Sequence, residues 1–371
     1  MTNTSHTIDT DIRHLALESL YERYHPAWVE KFGWHLPAEF RGLQQEYQAL
    51  KTFCVVIDKS YYGQITITGS TAQDFLHRMT SAPVNNLQPD QGMETVVTTA
   101  EGRFIDWVTV YLTGENELFM LTGPTSEDRI IDHLNEYIFF KDEVYFEKTG
   151  QQQSMLQVSG PAAGDLVREA FELDLDPGKH YQIHTCSLEK GSLTGIPYDD
   201  ITGRDIMLLF PNEIGESVWE MLEAAGQFWE PMGCDAYDLA RIETGIPACP
   251  NEINERHIPP EAHIHRSVDL DTCFAGQEVI ARTINYDKVK QHLFHIEIQA
   301  EPAQSLTAPL PIRKADRRIG EVTSLRWSPM HNRYLGLGYI RTRHMDENLP
   351  VIIQSEDSTF EGLATRKTSQ R

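Results

Sequence analysis

The chain has 371 residues, 40% hydrophobic and 23% charged, an ordinary globular balance that calls for two or three domains with a sizeable core. Asp and Glu number 55 against 32 Lys and Arg, and the net charge of -23 opposes broad binding to nucleic acid or to anionic membranes. Five scattered cysteines without CxxC spacing, a start lacking the basic-then-apolar order of a secretory signal, and no apolar run near the ~20 residues of a bilayer span lead us to expect a soluble, cytoplasmic protein without disulfides.

Along the chain one pattern recurs. Gln64–Ser70 leads into TAQDFLHRM, Leu118–Pro124 into TSEDRIIDHL, and Met155–Pro161 into AAGDLVREAF. Each is a β-rich run, a glycine turn and then an apolar 3–4 periodicity, which predicts a strand feeding a helix. A fourth junction, Asp205–Pro211, leads into NEIGESVWEMLEAAG, where Ile214, Val218, Met221, Leu222 and Ala225 mark one helical face and Gly226 suits the left-handed cap. Glu101-Gly102-Arg103 reads as the turn of a hairpin inside ETVVTTAEGRFIDWVTVYL. Strand–helix units mixed with hairpins predict α+β layers with mixed or antiparallel sheets, not a doubly wound parallel sheet. After residue 290, short strands separated by Pro, Gly and charge predict a small terminal β-barrel or sandwich, with the Pro-rich 301–311 as a loop. The expected modules are 1–50, a helical or extended segment joining the core, then 51–150 and 151–290, both α+β, and 291–371, the barrel.

Several residues have chemical potential, each beside a plainer reading. Alternation from Phe104 sets Phe104, Asp106, Val108 and Val110 on one strand face, so Asp106 stands among apolar neighbours. A carboxylate there must be bonded, either to a ligand amine or to a loop it ties down. In CDAYDLARIETGIP, a helix ending at Gly245, Asp238 and Arg241 are three apart and form at least an intrahelical pair. His257, His263 and His265 share a polar stretch with Cys249 and Cys273, but the spacing matches no zinc pattern and Pro259-Pro260 favours an irregular loop; no metal is expected. Arg313-Lys314 with Arg317-Arg318 is the densest basic patch, either a solvated turn or an anion site. Cys273, three residues before Gly276, is either a thiol that Lys288 and Lys290 activate or a small buried hydrophobe.

Over about residues 28–345 the chain resembles the glycine-cleavage T-protein (aminomethyltransferase) family, on KFGWHLPAEF, GRFIDWVTVY, PYDDITGRDIMLLFP, DLARIETGIP and IGEVTSLRWSP. CFAGQEVIAR further resembles the K-G-C-Y-x-G-Q-E-x-x-A-R motif of its YgfZ-type branch, as does RIETGIP followed by IPPEAHI. The resemblance implies the folate-binding fold with a C-terminal barrel, tetrahydrofolate or a derivative as cofactor, and support of iron–sulfur protein assembly or repair, with iron–sulfur client proteins as partners. It implies functional roles for Cys273 and Asp106, and folate contacts from Asp205, Tyr198, Tyr237, Arg241, Tyr62 and Gln277.

The sequence departs from the family at several of these positions. The T-protein's paired aspartates become Asp106-Trp107, and the TGE of its GYTGE motif becomes Asp199-Asp200-Ile201 after Tyr198. Asp205 stands where a glutamate usually bonds the pterin, Tyr237 replaces an arginine, and Asp271-Thr272 replaces Lys-Gly. A pterin needs a carboxylate for its N–H edge and aromatic walls for its ring, both still available. Transfer of an aminomethyl group also needs an acid/base group at the reacting nitrogen, and half of the carboxylate pair is missing. The sequence therefore favours folate binding, with a one-carbon transferase or demethylase and a non-catalytic binding module as alternatives.

Overall fold

In the computed structural model, which describes residues 12–264, 266–356 and 358–366, each of the four β-rich runs is a strand feeding a helix. Gly63–Thr68 leads into Ala72–Met79, Glu117–Thr122 into Glu127–Asn135, Gln153–Ser159 into Ala163–Phe171, and Asp205–Pro211 into Gly215–Ala224. The N-terminal stretch read for a secretory signal falls mostly outside the described residues.

The first two units share a five-stranded antiparallel sheet in the order 91–98, 104–114, 117–122, 63–68, 145–148. The other two share a six-stranded mixed sheet in the order 184–188, 191–198, 205–211, 153–159, 55–58, 230–231. One plan (strand, helix, hairpin, strand, helix) is thus used twice.

Period-two alternation decides what each face meets. Val108, Val110, Leu118 and Met120 pack under Phe75, Leu76, Ile130 and Leu134 of the first pair of helices. Leu156, Val158, Ile206 and Leu208 pack under Leu166, Val167, Val218 and Trp219 of the second. Each such side chain contributes about 1.5–3 kcal/mol on burial. The opposite faces meet each other through Tyr111, Phe119, Met155, Ile196, Met207 and Leu209. The layers run helix, sheet, sheet, helix.

Past residue 290 six strands close into a barrel in the order 291–298, 333–341, 317–328, 310–314, 348–354, 359–365. Phe294, Ile296, Ile312, Val322, Ile340 and Ile353 fill its interior. Helix Cys234–Thr244 joins barrel to sheets and ends on left-handed Gly245, as its sequence indicates. It is buried over most of its surface, with Ala236, Leu239, Ala240 and Ile242 against Val96, Phe104, Leu293 and Leu337 and the charged Asp238 and Arg241 also enclosed. No described helix is long and apolar enough to cross a membrane.

Three details differ from the sequence expectation. Gly226 does not cap its helix; Ala225 is already extended, and the Gly226 N–H donates to Glu169 Oε1 at 2.9 Å. Strand Val55–Asp58 pairs with Leu156–Ser159, so it belongs to the sheet of the following module, across the expected boundary at 150. A β-bulge breaks the alternation around Asp106. Val97 pairs with Asp106 and Thr98 with Phe104, leaving Ile105 as the extra residue. Ile105 therefore shares the core of Val108 and Val110, and Phe104 packs toward helix Cys234–Thr244. Bulges commonly re-aim a side chain in this way.

Candidate functional site

Between the facing sheets, beneath helix Cys234–Thr244, lies a chamber of about 140 Å³. Strand Gln153–Ser159 gives it Met155 and Gln157, strand Asp205–Pro211 gives Met207, and strand Phe104–Gly114 gives Asp106, Trp107 and Tyr111. A larger outer cavity of about 740 Å³ shares Glu94, Trp107 and Asp199 as walls and reaches the barrel at Leu293 and His295.

Asp106 is 1% exposed. Its Oδ2 accepts the Gly123 N–H at 2.6 Å and its Oδ1 accepts the Trp107 N–H at 2.8 Å. Burial raises its proton affinity, and these bonds only partly offset the rise. Gly123 is required here because an added Cβ would lie 2.5 Å from Cys249 Cβ. The glycine turn of one strand–helix unit thus anchors the carboxylate.

Opposite, Asp200 Oδ2 accepts Gln157 Nε2 at 2.9 Å and Tyr237 Oη at 3.1 Å. Gln157 Nε2 also donates to Ser159 Oγ at 2.9 Å, while Gln157 Oε1 is buried and, among the described residues, without a hydrogen-bond partner on this chamber-lining side chain. A buried acceptor left unmade costs about 1–3 kcal/mol, so a donor is expected to meet it. Tyr62, Tyr198 and Tyr237 supply aromatic wall. Lys59 Nζ lies among them, 2.9 Å from Tyr62 Oη.

Arg241 is 2% exposed and fully occupied by the protein. It donates to Asp238 Oδ1 at 2.8 Å, Glu252 Oε2 at 3.2 Å, Ser324 Oγ at 2.9 Å and the Ile246 carbonyl at 3.3 Å. The intrahelical pair expected from sequence exists, extended into a lock between helix and barrel. Asp238 also accepts Lys31 at 2.5 Å and Arg326 at 3.0 Å.

The structure thus brings Asp106, Tyr62, Tyr198, Tyr237 and Arg241 around one chamber. Asp205 lies off its wall. Its carboxylate accepts the N–H groups of Asp200, Thr202 and Gly203 at 3.0, 3.1 and 3.1 Å, so it shapes the loop that presents Asp200. Cys273 is exposed, and neither it nor Gln277 lines the chamber. Gln277 Nε2 instead donates to the Leu270 carbonyl at 2.6 Å. The cysteine loop rests on the hairpin that starts the Asp106 strand, with Thr98 Oγ1 donating to the Ala275 carbonyl at 2.5 Å. Gly276 takes φ +82°, and a Cβ there would stand 2.5 Å from the Thr99 carbonyl oxygen.

Among the described residues the histidine stretch does not converge. His257 stacks on Tyr339 at 3.7 Å and His263 on His292 at 5.1 Å, Cys249 bonds Ser126, and His265 lies outside the described residues. Among the described residues, His14, Glu18 and His35 are the group within mutual ligating reach, at the surface and far along the chain from that stretch. Arg313, Lys314 and Arg318 bond Gln354, Asp346 and Glu321, so the basic patch is a solvated hairpin.

Reasoning from sequence missed Lys59, Gln157 and Asp200. The signals were available: a lysine directly after the apolar run VVID, and a glutamine alternating with core residues in SMLQVS.

Residues 17–272 match the GCVT N-terminal domain, and residues 291–365 match the glycine cleavage T-protein C-terminal barrel domain. The chain belongs to the glycine cleavage T-protein family. It is 32% identical over 296 residues to a chloroplastic protein of Arabidopsis thaliana that carries a provisional transferase name, covering 77% of this chain and 65% of that one. An aminomethyltransferase of Thermoanaerobacter sp. is 23% identical over 363 residues, 93% of this chain and 95% of that one. The structure of the glycine cleavage system aminomethyltransferase T from Bartonella henselae superposes with a TM-score of 0.83 at 17% identity, over 96% and 97% of the two chains, so the fold is the same.

Proposed function

We propose that this T-protein family member binds tetrahydrofolate in the chamber between its two sheets and, as a YgfZ-type protein of the cytoplasm, supports assembly or repair of iron–sulfur proteins. The observation that carries the first part is Gln157 Oε1, a buried acceptor without a partner, beside the Asp200 carboxylate. Two acceptors side by side suit the amidine-like N–H edge of a pterin, with Tyr62, Tyr198 and Tyr237 as walls for its ring. Asp106 and Lys59 supply the titratable groups. A reduced folate contributes a ring nitrogen able to carry one-carbon units; the protein's part is to orient that nitrogen, exclude water and manage the proton.

The iron–sulfur role draws on Cys273, whose thiol is solvent-exposed on a braced loop and therefore suits contact with another protein. A calorimetric tetrahydrofolate isotherm tests binding; no heat and no thermal shift at millimolar ligand sinks it. Complementation by Cys273→Ala of cells lacking their own YgfZ-type protein tests the client role, and full rescue removes the thiol from it.

A second reading, a tetrahydrofolate-dependent one-carbon transferase, draws on Asp106 being held at the chamber wall by two backbone N–H groups. Turnover of a panel of N-, O- and S-methyl donors by the unaltered protein, lost in Asp106→Asn, would support it. The scaffold without any ligand is excluded by a measurable folate isotherm.

A further inference from the structure

We propose that Lys59 is the proton acceptor of the chamber, meeting the bound ligand as a neutral amine that takes a hydrogen bond from one of its ring N–H groups. This rests on the folate reading above and adds a residue to it.

Lys59 follows strand Val55–Asp58 and is 4% exposed. Its Nζ lies 3.4 Å from the Tyr237 ring centroid, 4.1 Å from the Tyr62 centroid and 2.9 Å from Tyr62 Oη. Among the described residues it forms no ion pair. The carboxylates around it are engaged elsewhere. Asp58 accepts Tyr21 and Ser60, Asp200 accepts Gln157 and Tyr237, Asp238 accepts Lys31, Arg241 and Arg326, and Asp205 holds its own loop. A lysine in this setting has lost water without gaining a counter-ion.

The charge balance agrees with that geometry. Burial is the dominant influence on the amine; Asp200, Asp238 and Asp205 pull toward the charged form and Arg241 against it, and the result stands at about 7. A base poised there exchanges protons near neutrality, and lysine is the residue most readily tuned by burial. Asp106, by comparison, has each carboxylate oxygen accepting a backbone N–H. Lys59 is therefore the better proton acceptor in this chamber.

In a one-carbon transfer the electrons balance simply. The lone pair of the ligand's ring nitrogen forms the N–C bond, the donor's bonding pair leaves with the donor group, and the ring N–H proton passes to Lys59 Nζ. Nothing is oxidised or reduced.

The test is proton release on binding. The tetrahydrofolate binding heat is measured from pH 6.5 to 8.5 in buffers of different ionisation enthalpy, for the intact chain and for Lys59→Met and Lys59→Gln. The unaltered protein is expected to release roughly half a proton or more per site at pH 6.5, falling toward none at pH 8.5. Both variants, one apolar and one polar so that folding does not decide the result, are expected to lose that release and to bind about tenfold more weakly. Absence of binding to the unaltered protein overturns the folate reading. Binding without proton release, or with the same release in both variants, overturns the role of Lys59 and leaves the folate reading intact.

Discussion

Lys59 Nζ sits 3.4 Å above the face of Tyr237, a cation–π contact inside the chamber that tempers the penalty of burying the amine without removing it. Burial lowers the lysine to about 7, against an unfolded value of ~10.4. Between those pH values the unfolded chain holds more protons, so stability rises with pH through that window. Lys59→Met is expected to stabilise the fold by roughly 2–4 kcal/mol at pH 6–7, with the gain fading as pH rises from about 7 and spent by pH ~10.4. Urea denaturation across this range checks it; a variant less stable than its parent at pH 6.5 contradicts it.

The Arg241 lock predicts a cost of opposite sign. Removing the guanidinium leaves Asp238 and Glu252 buried with one partner fewer, and such losses run to about 3–5 kcal/mol. Arg241→Ala should also loosen the barrel, because Glu252 ties the helix to Thr323 and Ser324. Fluorescence and circular dichroism transitions that separate in the variant and coincide in the parent would register that loosening. Burial alone would push Asp238 up, but Arg241, Lys31 and Arg326 outweigh it and hold its carboxyl well below the usual range. Its contribution is present above pH ~4 and fades as pH falls below that, so the parent and Arg241→Ala should converge in acid.

Ligand recognition is checked at the two acceptors. Gln157→Leu removes the unpartnered oxygen, and Asp200→Asn keeps the shape but loses the charge. Each is expected to weaken tetrahydrofolate binding about tenfold or more. Asp205→Asn should weaken it less directly, through disorder of the loop at Thr202 and Gly203. Calorimetry ranks the three, and an unchanged isotherm for Asp200→Asn would discount that carboxylate as a contact.

Thiol chemistry should be confined to one position. Burial pushes Cys54, Cys234 and Cys249 up to about 12, and it also raises half-buried Cys186, whereas Cys273 is exposed. One equivalent of an aromatic disulfide reagent is expected to react rapidly with the native protein. Peptide mapping should find it on Cys273, and Cys273→Ser should remove the fast phase. Rapid labelling at Cys54 or Cys249 instead would mean the fold opens easily.

The architecture was legible because its signals are local. Each strand–turn–helix unit carries its own periodicity, and the hairpin at Glu101–Arg103 and the stop at Gly245 are short-range backbone choices. Of the chamber, Asp106, Tyr62, Tyr198, Tyr237 and Arg241 were legible through motif resemblance. Asp200 was not, since its partnership with Gln157 joins a loop to a strand 43 positions away. The aims of Phe104 and Ile105 beside Asp106 depended on a bulge that alternation cannot foresee, and the occupancy of Arg241 on contacts from the barrel. Long-range pairing decides these, and it leaves little trace in any single window of sequence.

One mechanical property follows from the contact of Gly276 with Gly102, where a Cβ on Gly276 would stand 2.6 Å from the Gly102 Cα. The loop bearing the surface sulfur leans on the tip from which the Asp106 strand departs, as a wedge leans on a lever. That sulfur is exposed and the Asp106 carboxylate is buried, and a single hairpin touches the loop of the first while carrying the strand of the second.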